Sequence, residues 1–344
     1  MKRWLVATAC CVAAWHAGAA GPAAAPQPAG APAAAVERNV DDWLMRMHDA
    51  SRKRAYIGTF VVSSDSGAMS SARIWHVCDG QQQIERIESL TGTPRTVYRH
   101  NDQVVTFLPE SKLARSEKRE SLTLFPNLLK AGDWALADFY AARQAGSERV
   151  AGFDADVVEL QPRDRLRFGY RIWSEKKTGL VVKLQTLDLD GRVLEQAAFS
   201  ELQLDAPVKM DKLARMMADT HGYRVEKTEP VKTSAAAEGW ALKAPVAGFK
   251  PMGCYRRPPP SSGAAAPDAT LQWIFSDGLA SVSLFVEPYD AQRHPRELHR
   301  SMGATQALGR RVATDKAGDW WLTAVGEVPA QTLRAFAQGL ERVR

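Results

Sequence analysis

The side chains of this sequence that could carry out chemistry do not form any of the strong catalytic patterns. The chain has no G-x-S-x-G nucleophile elbow, no phosphate-binding G-x-x-x-x-G-K, no dinucleotide-binding G-x-G-x-x-G and no zinc-binding H-E-x-x-H. His294 and His299 are five residues apart with Pro295 between them, and on a helix such a pair would point to different faces. We therefore expect neither a metal site nor an enzyme. A secreted hydrolase built from dispersed carboxylates and histidines is the alternative.

Cysteine chemistry is not expected either. Cys10 and Cys11 lie in an N-terminal segment that we expect to be removed, which leaves Cys78 and Cys254. The chain has no C-x-x-C motif, so the sequence does not indicate thiol–disulfide exchange. In an oxidising compartment the two remaining thiols could form a disulfide, but nothing in the sequence brings them together. We interpret them as separate half-buried thiols, with a disulfide as the open alternative.

An apolar stretch beside a cluster of cations is a stronger sign of a ligand site. The charged stretch 111–121, which we interpret as a loop, is followed directly by leucine and phenylalanine side chains. A groove floored by aromatic and aliphatic residues of a sheet and flanked by these cations would suit acyl chains with an anionic head group. The candidate lipid-binding residues are Phe60, Val62, Phe107, Leu122, Leu124, Phe125, Leu128, Leu129, Lys112 and Arg115. Ordinary packing of a helix on a sheet beside a solvated charged loop explains the same residues equally well.

Composition and charge narrow the class of protein. The 344 residues are 45% hydrophobic and 24% charged, which excludes wholesale disorder and a polytopic membrane protein. The formal net charge is +6, and two of the cations, Lys2 and Arg3, lie in the segment that we expect to be removed. The remaining excess is small and interspersed with acids, so we expect no nucleic-acid partner.

The N-terminus is typical of a secretory signal peptide. It has a basic start, an apolar run from Trp4 to Ala14 and the small residues Ala17-Gly18-Ala19. We expect residues 1–19 to be removed on export. Residues 20–36 are almost only Ala, Pro and Gly, and we expect them to form a flexible lead.

Hydrophobic periodicity between residues 37 and 218 predicts one domain built on a large sheet. Short segments rich in β-forming residues are separated by turn signals such as Asp79-Gly80 and Asp190-Gly191. The expected strands are Tyr56–Ser64, Ala72–Asp79, Gln83–Leu90, Arg95–His100, Gln103–Leu108, Ala155–Gln161, Phe168–Glu175, Leu180–Leu189 and Val193–Leu204. The expected helices are Val40 to about Arg54, Asp133–Gln144 and Val208–Ala218. This order predicts one large, curled antiparallel sheet with helices on its concave face.

A smaller α+β domain is expected at the C-terminal end. Turn-rich residues 219–237 predict a linker, and residues 238–344 follow as the second domain. The expected strands there are Leu271–Phe275, Leu279–Val286 and Trp320–Val325. A final helix is expected from Pro329, a residue favoured at the first helical position. Arg256 and Arg257 are expected to begin a proline-rich loop that ends near Pro267.

Eight motifs, in order over both expected domains, are similar to those of one known family. In the large domain they are Arg149-Val150-Ala151-Gly152, Gln161-Pro162-Arg163-Asp164, Gly169-Tyr170-Arg171-Ile172-Trp173, Thr178-Gly179-Leu180 and Asp190-Gly191-Arg192-Val193-Leu194-Glu195-Gln196. In the small domain they are Ser276-Asp277-Gly278-Leu279-Ala280-Ser281-Val282-Ser283, Val286-Glu287-Pro288 and Val325-Gly326-Glu327-Val328-Pro329. From about Val40 to the C-terminus, the sequence resembles the MucB/RseB family.

The resemblance implies a periplasmic regulator of the envelope-stress sigma factor, without catalysis and without a cofactor. Members of that family bind the periplasmic domain of a membrane anti-sigma factor and shield it from regulated proteolysis, and a lipopolysaccharide-like lipid releases them. The resemblance also implies the α+β fold class, with a large half-open antiparallel β-barrel that is similar to lipoprotein carriers and has helices over its concave face. The smaller α+β domain would then provide most of the contacts with the anti-sigma factor.

The resemblance also suggests partner-binding residues. Arg310-Arg311-Val312 matches a paired-arginine stretch of the family's small domain, which implies a partner-binding role for Arg311 first and Arg310 second. Arg256 and Arg257 complete the candidate set. A solvated surface pair is the alternative interpretation of the paired arginines. The competing function is a periplasmic lipid or lipoprotein carrier, which would need only the curled sheet, and a homo-oligomer is left open.

Overall fold

The computed structural model describes residues 38–118, 125, 136–257, 270–314 and 318–343. The expected signal peptide and the Ala/Pro lead lie outside these ranges, and so does most of the apolar stretch that follows residue 118. Within the described ranges, no helix has both the length and the apolar character needed to cross a membrane.

A large open sheet occupies the N-terminal part of the described chain. Its strands are β1 (Tyr56–Ser64), β2 (Met69–Cys78), β3 (Gln83–Ser89), β4 (Thr96–His100), β5 (Gln103–Leu108), β6 (Leu113–Lys118), β7 (Tyr140–Val150), β8 (Phe153–Pro162), β9 (Gly169–Glu175), β10 (Val181–Leu187), β11 (Val193–Leu204) and β12 (Arg224–Thr228). Over the described residues their order is β12-β6-β5-β4-β3-β2-β1-β11-β10-β9-β8-β7. Among the described residues β12 and β7 each have one strand neighbour, so the sheet is open rather than a closed barrel, and the half-open architecture is confirmed.

The pairing of β1 with β11 joins two meanders into this one sheet. Neighbouring strands are antiparallel, except that β12 runs parallel to β6. In the pairing of β1 with β11 the register shifts between Thr59 and Phe60, and such a bulge bends a strand and increases its twist.

Two helices pack against opposite ends of the strand order. Helix α1 (Val40–Lys53) begins where the sequence predicts, because Asn39 Oδ1 accepts a hydrogen bond of 2.8 Å from the Asp42 amide. Its buried Trp43 and Leu44 pack with side chains of β7 to β10. Helix α3 (Met210–Ala218) buries Leu213 and Met217 among side chains of β3 to β6.

A smaller sheet follows, with the last helix on one of its faces. Its strands are β13 (Val231–Lys232), β15 (Lys250–Arg257), β16 (Thr270–Ser276), β17 (Ser281–Pro288), β18 (Leu298–Met302), β19 (Thr305–Val312) and β20 (Trp320–Gly326). Over the described residues their order is β13-β15-β16-β17-β20-β19-β18. Helix α4 (Ala330–Gly339) buries Leu333 and Phe336 in the core of this sheet. Strands β14 (Trp240–Leu242) and β21 (Leu340–Arg342) form a separate antiparallel pair.

Two sequence predictions in the large sheet are wrong. Of the helix expected at Asp133–Gln144, the described residues form only the single turn α2 (Leu136–Phe139), and the chain then continues as β7. The apolar spacing of Leu136 and Tyr140 reflects their burial beside α1, and pairing with β8 outweighs the helix propensity of the alanines that follow. Within the charged stretch expected as a loop, residues 113–118 form β6, which buries Leu113 and Ala114 and leaves Arg115 exposed.

Strands also form where the sequence predicts connections. The turn-rich stretch 219–237 contributes β12 to the large sheet and β13 to the small one. The chain is still a strand at Arg257, so the prediction that a loop begins at Arg256 is wrong. Pairing across the sheet provides these segments with hydrogen-bond partners that local sequence does not reveal.

A buried ion pair connects the two sheets. Arg167, in the connection between β8 and β9, is 0% exposed, and Asp277, in the turn between β16 and β17, is 2% exposed. Arg167 Nε lies 2.7 Å from Asp277 Oδ2, and the Tyr140 hydroxyl donates to the same oxygen at 3.1 Å. Asp277 Oδ1 accepts hydrogen bonds from the amides of Leu279 and Ala280 at 3.0 and 2.7 Å.

The surroundings of this ion pair shift the pKa of its carboxyl. Burial raises the pKa of Asp277 above its ordinary value, and the positive charge of Arg167 opposes part of this shift. The Arg167 guanidinium also donates to the carbonyl of Ala247 at 2.6 Å and lies over the rings of Phe139 and Phe249, at 4.3 and 5.0 Å from their centroids. The buried charges are therefore hydrogen-bonded as well as paired.

The backbone beside the guanidinium is close enough to require a glycine. Gly248 has a φ of +81°, and a Cβ atom there would collide with Arg167 and Phe139. Two further contacts support the junction of the sheets: Thr332 Oγ1 donates to the Leu166 carbonyl at 2.8 Å, and Arg257 lies 3.7 Å from Glu117.

We expect Arg167→Met to lower the free energy of unfolding by about 3–5 kcal/mol. The substitution keeps most of the side-chain volume but leaves the Asp277 carboxylate buried without its cation. Urea titration followed by tryptophan fluorescence would measure the change.

Arg192→Met is the matched control, because Arg192 pairs with Asp188 at 2.8 Å in an exposed turn of the same sheet. An exposed pair contributes little to stability, so this variant should unfold almost like the wild-type protein. Equal effects of the two substitutions would contradict a special role for the buried pair.

Candidate functional site

An apolar hollow lies where the large sheet meets the small sheet. Its volume is about 200 Å³. The large-sheet part of its lining is Phe60, Val62, Ile87, Phe125, Tyr170, Ile172, Leu184, Thr186, Glu195 and Ala197. The small-sheet part contributes Leu279, which directly follows the Asp277 turn, and Glu327, which follows β20. Both sheets therefore form the wall of this hollow.

The period-2 geometry of the strands explains the composition of the hollow. Alternate residues of a strand face the same side, so β1 presents Phe60 and Val62, and β9 presents Tyr170 and Ile172. The ring of Phe125 packs at 5.7 Å from that of Phe60 and at 5.1 Å from that of Phe199. The rings of Phe60 and Phe125 therefore form an aromatic part of the lining.

The volume of the hollow limits what it holds in this conformation. Apolar cavities of about 150 Å³ bind a molecule such as benzene, while pockets for drug-sized ligands usually measure about 300–1,000 Å³. The hollow therefore has room for one short aliphatic or aromatic group. A lipid with several acyl chains would enter only if the walls moved apart.

Two carboxyl groups belong to the lining of the hollow, Glu195 from the large sheet and Glu327 from the small one. Neighbouring protein atoms that displace water raise the pKa of the Glu327 carboxyl to about 7, and the nearby Glu195 adds to the shift, although Glu327 keeps an exposed surface. Burial also raises the pKa of Glu195, which accepts a hydrogen bond from the Ala304 amide that lowers it. Near pH 7, Glu327 therefore carries less negative charge than a glutamate with an ordinary pKa.

A larger and more polar cleft adjoins the hollow at Glu327. Its volume is about 610 Å³, and it lies between the small-sheet strands β15 to β17 and the end of β6. Lys118, Lys232 and Arg257 are the cations of its lining. An amphiphile with its apolar part in the hollow would find these cations within the adjoining space.

The structure brings three of the candidate lipid-binding residues together. Phe60, Val62 and Phe125 line the hollow. Phe107 instead packs in the α3 core, with its ring 5.6 Å from Tyr98 and 5.1 Å from Tyr223.

The two candidate cations near the apolar stretch lie elsewhere, and four apolar candidates are outside the described residues. Lys112 is in the turn before β6 with a φ of +46°, and Arg115 lies 3.6 Å from Glu226 of β12. Neither contributes to the lining of the hollow. The candidates outside the described residues are Leu122, Leu124, Leu128 and Leu129.

The candidate partner-binding arginines do not form one patch. Arg310 and Arg311 are consecutive in β19, so their side chains leave opposite faces of the small sheet. Arg311 pairs with Asp319 and lies 4.6 Å from the centroid of the Tyr289 ring. Arg310 has a buried Nε without a hydrogen-bond partner among the described residues.

The second pair of arginines is divided in the same way. Arg256 forms an exposed ion pair with Glu238, at 2.6 Å. Arg257 faces the cleft, where it donates to Gln272 and approaches Glu117. Arg257 is therefore better placed to contact an anionic ligand of the cleft than to act together with Arg256.

The histidines and cysteines occupy separate places. His294 Nε2 lies 2.7 Å from Glu287 Oε1 and its ring stacks on Trp321, whereas His299 is exposed on β18. Cys78 and Cys254 are both free, and burial raises the pKa of the Cys254 thiol to about 11. Within the described ranges, no group of three or more His, Cys, Asp or Glu side chains could hold a metal ion.

Several residues of the site were not among the candidates. Tyr170, Ile172, Leu184 and Ala197 follow the strand alternation, so the sequence contains their signal, but it does not say which face borders a cavity. Glu327 is polar and lies outside a strand. Its only sequence signal is its place in the motif Val325–Pro329.

The fold and the site define an α+β binding protein with an apolar hollow between an open antiparallel sheet and a second, smaller sheet. A sequence model of the MucB/RseB N-terminal domain matches residues 39–217, and one of the MucB/RseB C-terminal domain matches residues 234–341. This chain belongs to the MucB/RseB family.

Characterised relatives are similar over most of their length. The sigma factor AlgU regulatory protein MucB of Pseudomonas aeruginosa is 30% identical over 302 residues, which cover 87% of this chain and 90% of that protein. The sigma-E factor regulatory protein RseB of Escherichia coli strain K12 is 26% identical over 302 residues, 87% of this chain and 89% of that protein. The solved MucA/MucB complex of Pseudomonas aeruginosa contains a chain with 27% identity and a TM-score of 0.67, over 88% of this chain and 98% of that one.

We expect the stability of Glu327→Gln relative to wild type to rise with pH. Because the pKa of Glu327 is raised from 4.5 to about 7 in the folded protein, its stabilising contribution is fully present below pH 4.5 and is lost as the pH rises towards 7. Glutamine does not titrate. The difference in free energy of unfolding between the two proteins, measured by urea titration from pH 4.5 to 8, should therefore shift in favour of the variant.

Glu201→Gln is a suitable control, because it makes the same substitution on β11 at a residue that does not line the hollow. Its difference from wild type should stay nearly constant over the same range. A flat profile for Glu327→Gln as well would show that Glu327 titrates as an ordinary surface glutamate.

Proposed function

We propose that this chain is a periplasmic, non-enzymatic regulator of a sigma factor. It binds the periplasmic domain of a membrane anti-sigma factor, shields that domain from regulated proteolysis and releases it when a lipopolysaccharide-like lipid binds. In this proposal the large domain, residues 37–218, holds the lipid. The small domain, residues 238–344, provides most of the contacts with the partner, and residues 219–237 link the two.

Family membership supports the regulatory part of this proposal. The relatives are named as regulatory proteins of sigma factors. One solved relative is a crystal structure of MucB in complex with MucA(peri), with 26% identity and a TM-score of 0.66 over 88% of this chain and 98% of that chain. The secretory signal expected at the N-terminus supports a location outside the cytoplasm.

The shared lining of the hollow is the observation that carries the proposal. A group that enters the hollow touches Phe60 and Val62 of the large sheet and Leu279 of the small one. Since 200 Å³ is too small for several acyl chains, a lipid would favour an arrangement in which the two sheets lie farther apart. Binding to one arrangement in preference to another is what couples two ligands.

The chemistry of the two cavities favours an anionic amphiphile. The hollow offers apolar side chains, and the cleft that joins it at Glu327 offers Lys118, Lys232 and Arg257. Burial of an acyl group in the hollow would contribute hydrophobic binding energy, and ion pairs between a phosphate and the cations of the cleft would contribute electrostatic binding energy.

We expect Val62→Trp to protect the anti-sigma domain from protease but to respond less to lipid. The larger ring would fill much of the hollow, so an acyl group would lose its place while the partner contacts stay intact. Purified mature protein, the periplasmic domain of the anti-sigma factor and its regulatory protease would be incubated with increasing lipopolysaccharide. The measured quantity is the lipid concentration that restores half of the cleavage rate.

Val61→Trp is the matched control. Val61 is the neighbouring residue of β1 and faces the other side of the sheet, so this variant should respond to lipid like the wild-type protein. Identical responses of all three proteins would remove the hollow from the release mechanism. No protection by the wild-type protein would favour the alternative, a lipid or lipoprotein carrier, for which the apolar hollow is the supporting observation.

We expect Arg311→Glu to weaken binding of the anti-sigma periplasmic domain at least tenfold, about 1.4 kcal/mol, because a cation at the interface becomes an anion. Isothermal titration calorimetry would measure the affinity. Arg192→Glu, in the exposed turn between β10 and β11, makes the same change of charge away from the small sheet. Unchanged affinity of the Arg311 variant would exclude this residue from the interface.

A further inference from the structure

The outermost strand of the small sheet, β18, is open for pairing along its whole length. All its residues are exposed, and β19 is its only strand neighbour among the described residues. The two strands are joined by the two-residue turn Gly303-Ala304, so Met302 and Thr305 form a hydrogen-bonded closing pair. By alternation, the backbone N–H and C=O groups of His299 and Ser301 point away from β19. Such an edge is a template for another strand.

The chain on both sides of β18 is held in place. Before it, Asp290 Oδ1 accepts a hydrogen bond of 2.8 Å from the Gln292 amide, and the His294 ring stacks on Trp321 with centroids 4.4 Å apart. After it, the amide of Ala304 is bonded to the carboxylate of Glu195 on the large sheet. A partner strand would therefore meet an ordered edge, which lowers the entropy cost of binding.

The surface around β18 carries an excess of positive charge. Its arginines line two shallow concavities that flank the strand, of about 550 and 410 Å³, and Glu297 is the acid between them. The arginines of this surface for which the described residues provide no ion pair are Arg296, Arg300, Arg310 and Arg334. Cations in this arrangement attract a polypeptide with acidic side chains.

We propose that β18 binds an extended acidic segment of another polypeptide as an additional strand of the small sheet. The backbone groups of His299 and Ser301 provide the main-chain hydrogen bonds, and the flanking arginines select acidic side chains. A second copy of this chain fits the same edge poorly, because antiparallel pairing of two β18 strands centred on Arg300 would place like charges opposite each other. This inference goes beyond the proposed function and requires neither the hollow nor a lipid.

NMR of the mature chain tests this binding mode directly. The probe is a capped eight-residue peptide of alternating glutamate and valine. Its addition should slow amide hydrogen exchange at His299 and Ser301, while the amides of Leu298 and Arg300, which already face β19, change little. Arg300→Glu should weaken binding of the probe about tenfold or more, and higher salt should weaken it for the wild-type protein.

Two controls make the result specific. A peptide with lysine in place of glutamate should not bind, and Arg192→Glu, far along the sequence in the large domain, should bind the acidic peptide like the wild-type protein. Equal binding of both peptides, or no change of exchange at His299 and Ser301, would overturn the proposal. So would a β18-mediated dimer of the free chain in sedimentation. If the wild-type protein protected the anti-sigma domain but did not bind the acidic peptide, this inference would be overturned and the proposed function would stand.

Discussion

A guanidinium and a carboxylate that are both withdrawn from water determine how the two sheets of this protein meet. Desolvating Arg167 and Asp277 is expensive, and the cost is offset only when their hydrogen bonds to each other and to the surrounding backbone form together. Apolar contacts alone would tolerate sliding of one sheet against the other. The ion pair with its ordered partners allows one arrangement, and the hollow, whose lining comes from both sheets, exists only in that arrangement.

The same junction gives the hollow its mixed chemistry. The Asp277 turn positions Leu279 in the apolar wall, and the chain after β20 places Glu327 where the hollow and the cleft adjoin. At this position a carboxyl group with a raised pKa costs less desolvation energy than an ordinary glutamate, because it is partly protonated at a pH close to 7. The apolar hollow and the polar cleft thus meet at a carboxyl group that carries less charge near pH 7 than an ordinary glutamate.

Much of this architecture can be predicted from the sequence, because strand alternation and the capping of α1 by Asn39 are local signals. The ion pair cannot, since Arg167 and Asp277 are 110 residues apart and no local pattern joins them. In the site, alternation predicts that Phe60 and Phe107 each project from one face of the sheet. It does not predict that the face with Phe60 borders the hollow or that the face with Phe107 packs on α3. The sequence does not reveal β6, because Arg115, Glu117 and Lys118 are typical of a solvated loop, and only its pairing with β5 and β12 identifies it as a strand.

The described chain passes from the large sheet to the small one through two residues, Glu229 and Pro230, between the end of β12 and the start of β13. Proline fixes its own φ and restricts the residue before it to extended conformations, so this passage acts as a short, stiff pivot. If the ion pair broke, the two halves could swing but could not drift apart. The two sheets would then come together again in an intramolecular step, with a high effective concentration of one sheet near the other. Separation of the sheets would therefore be reversible.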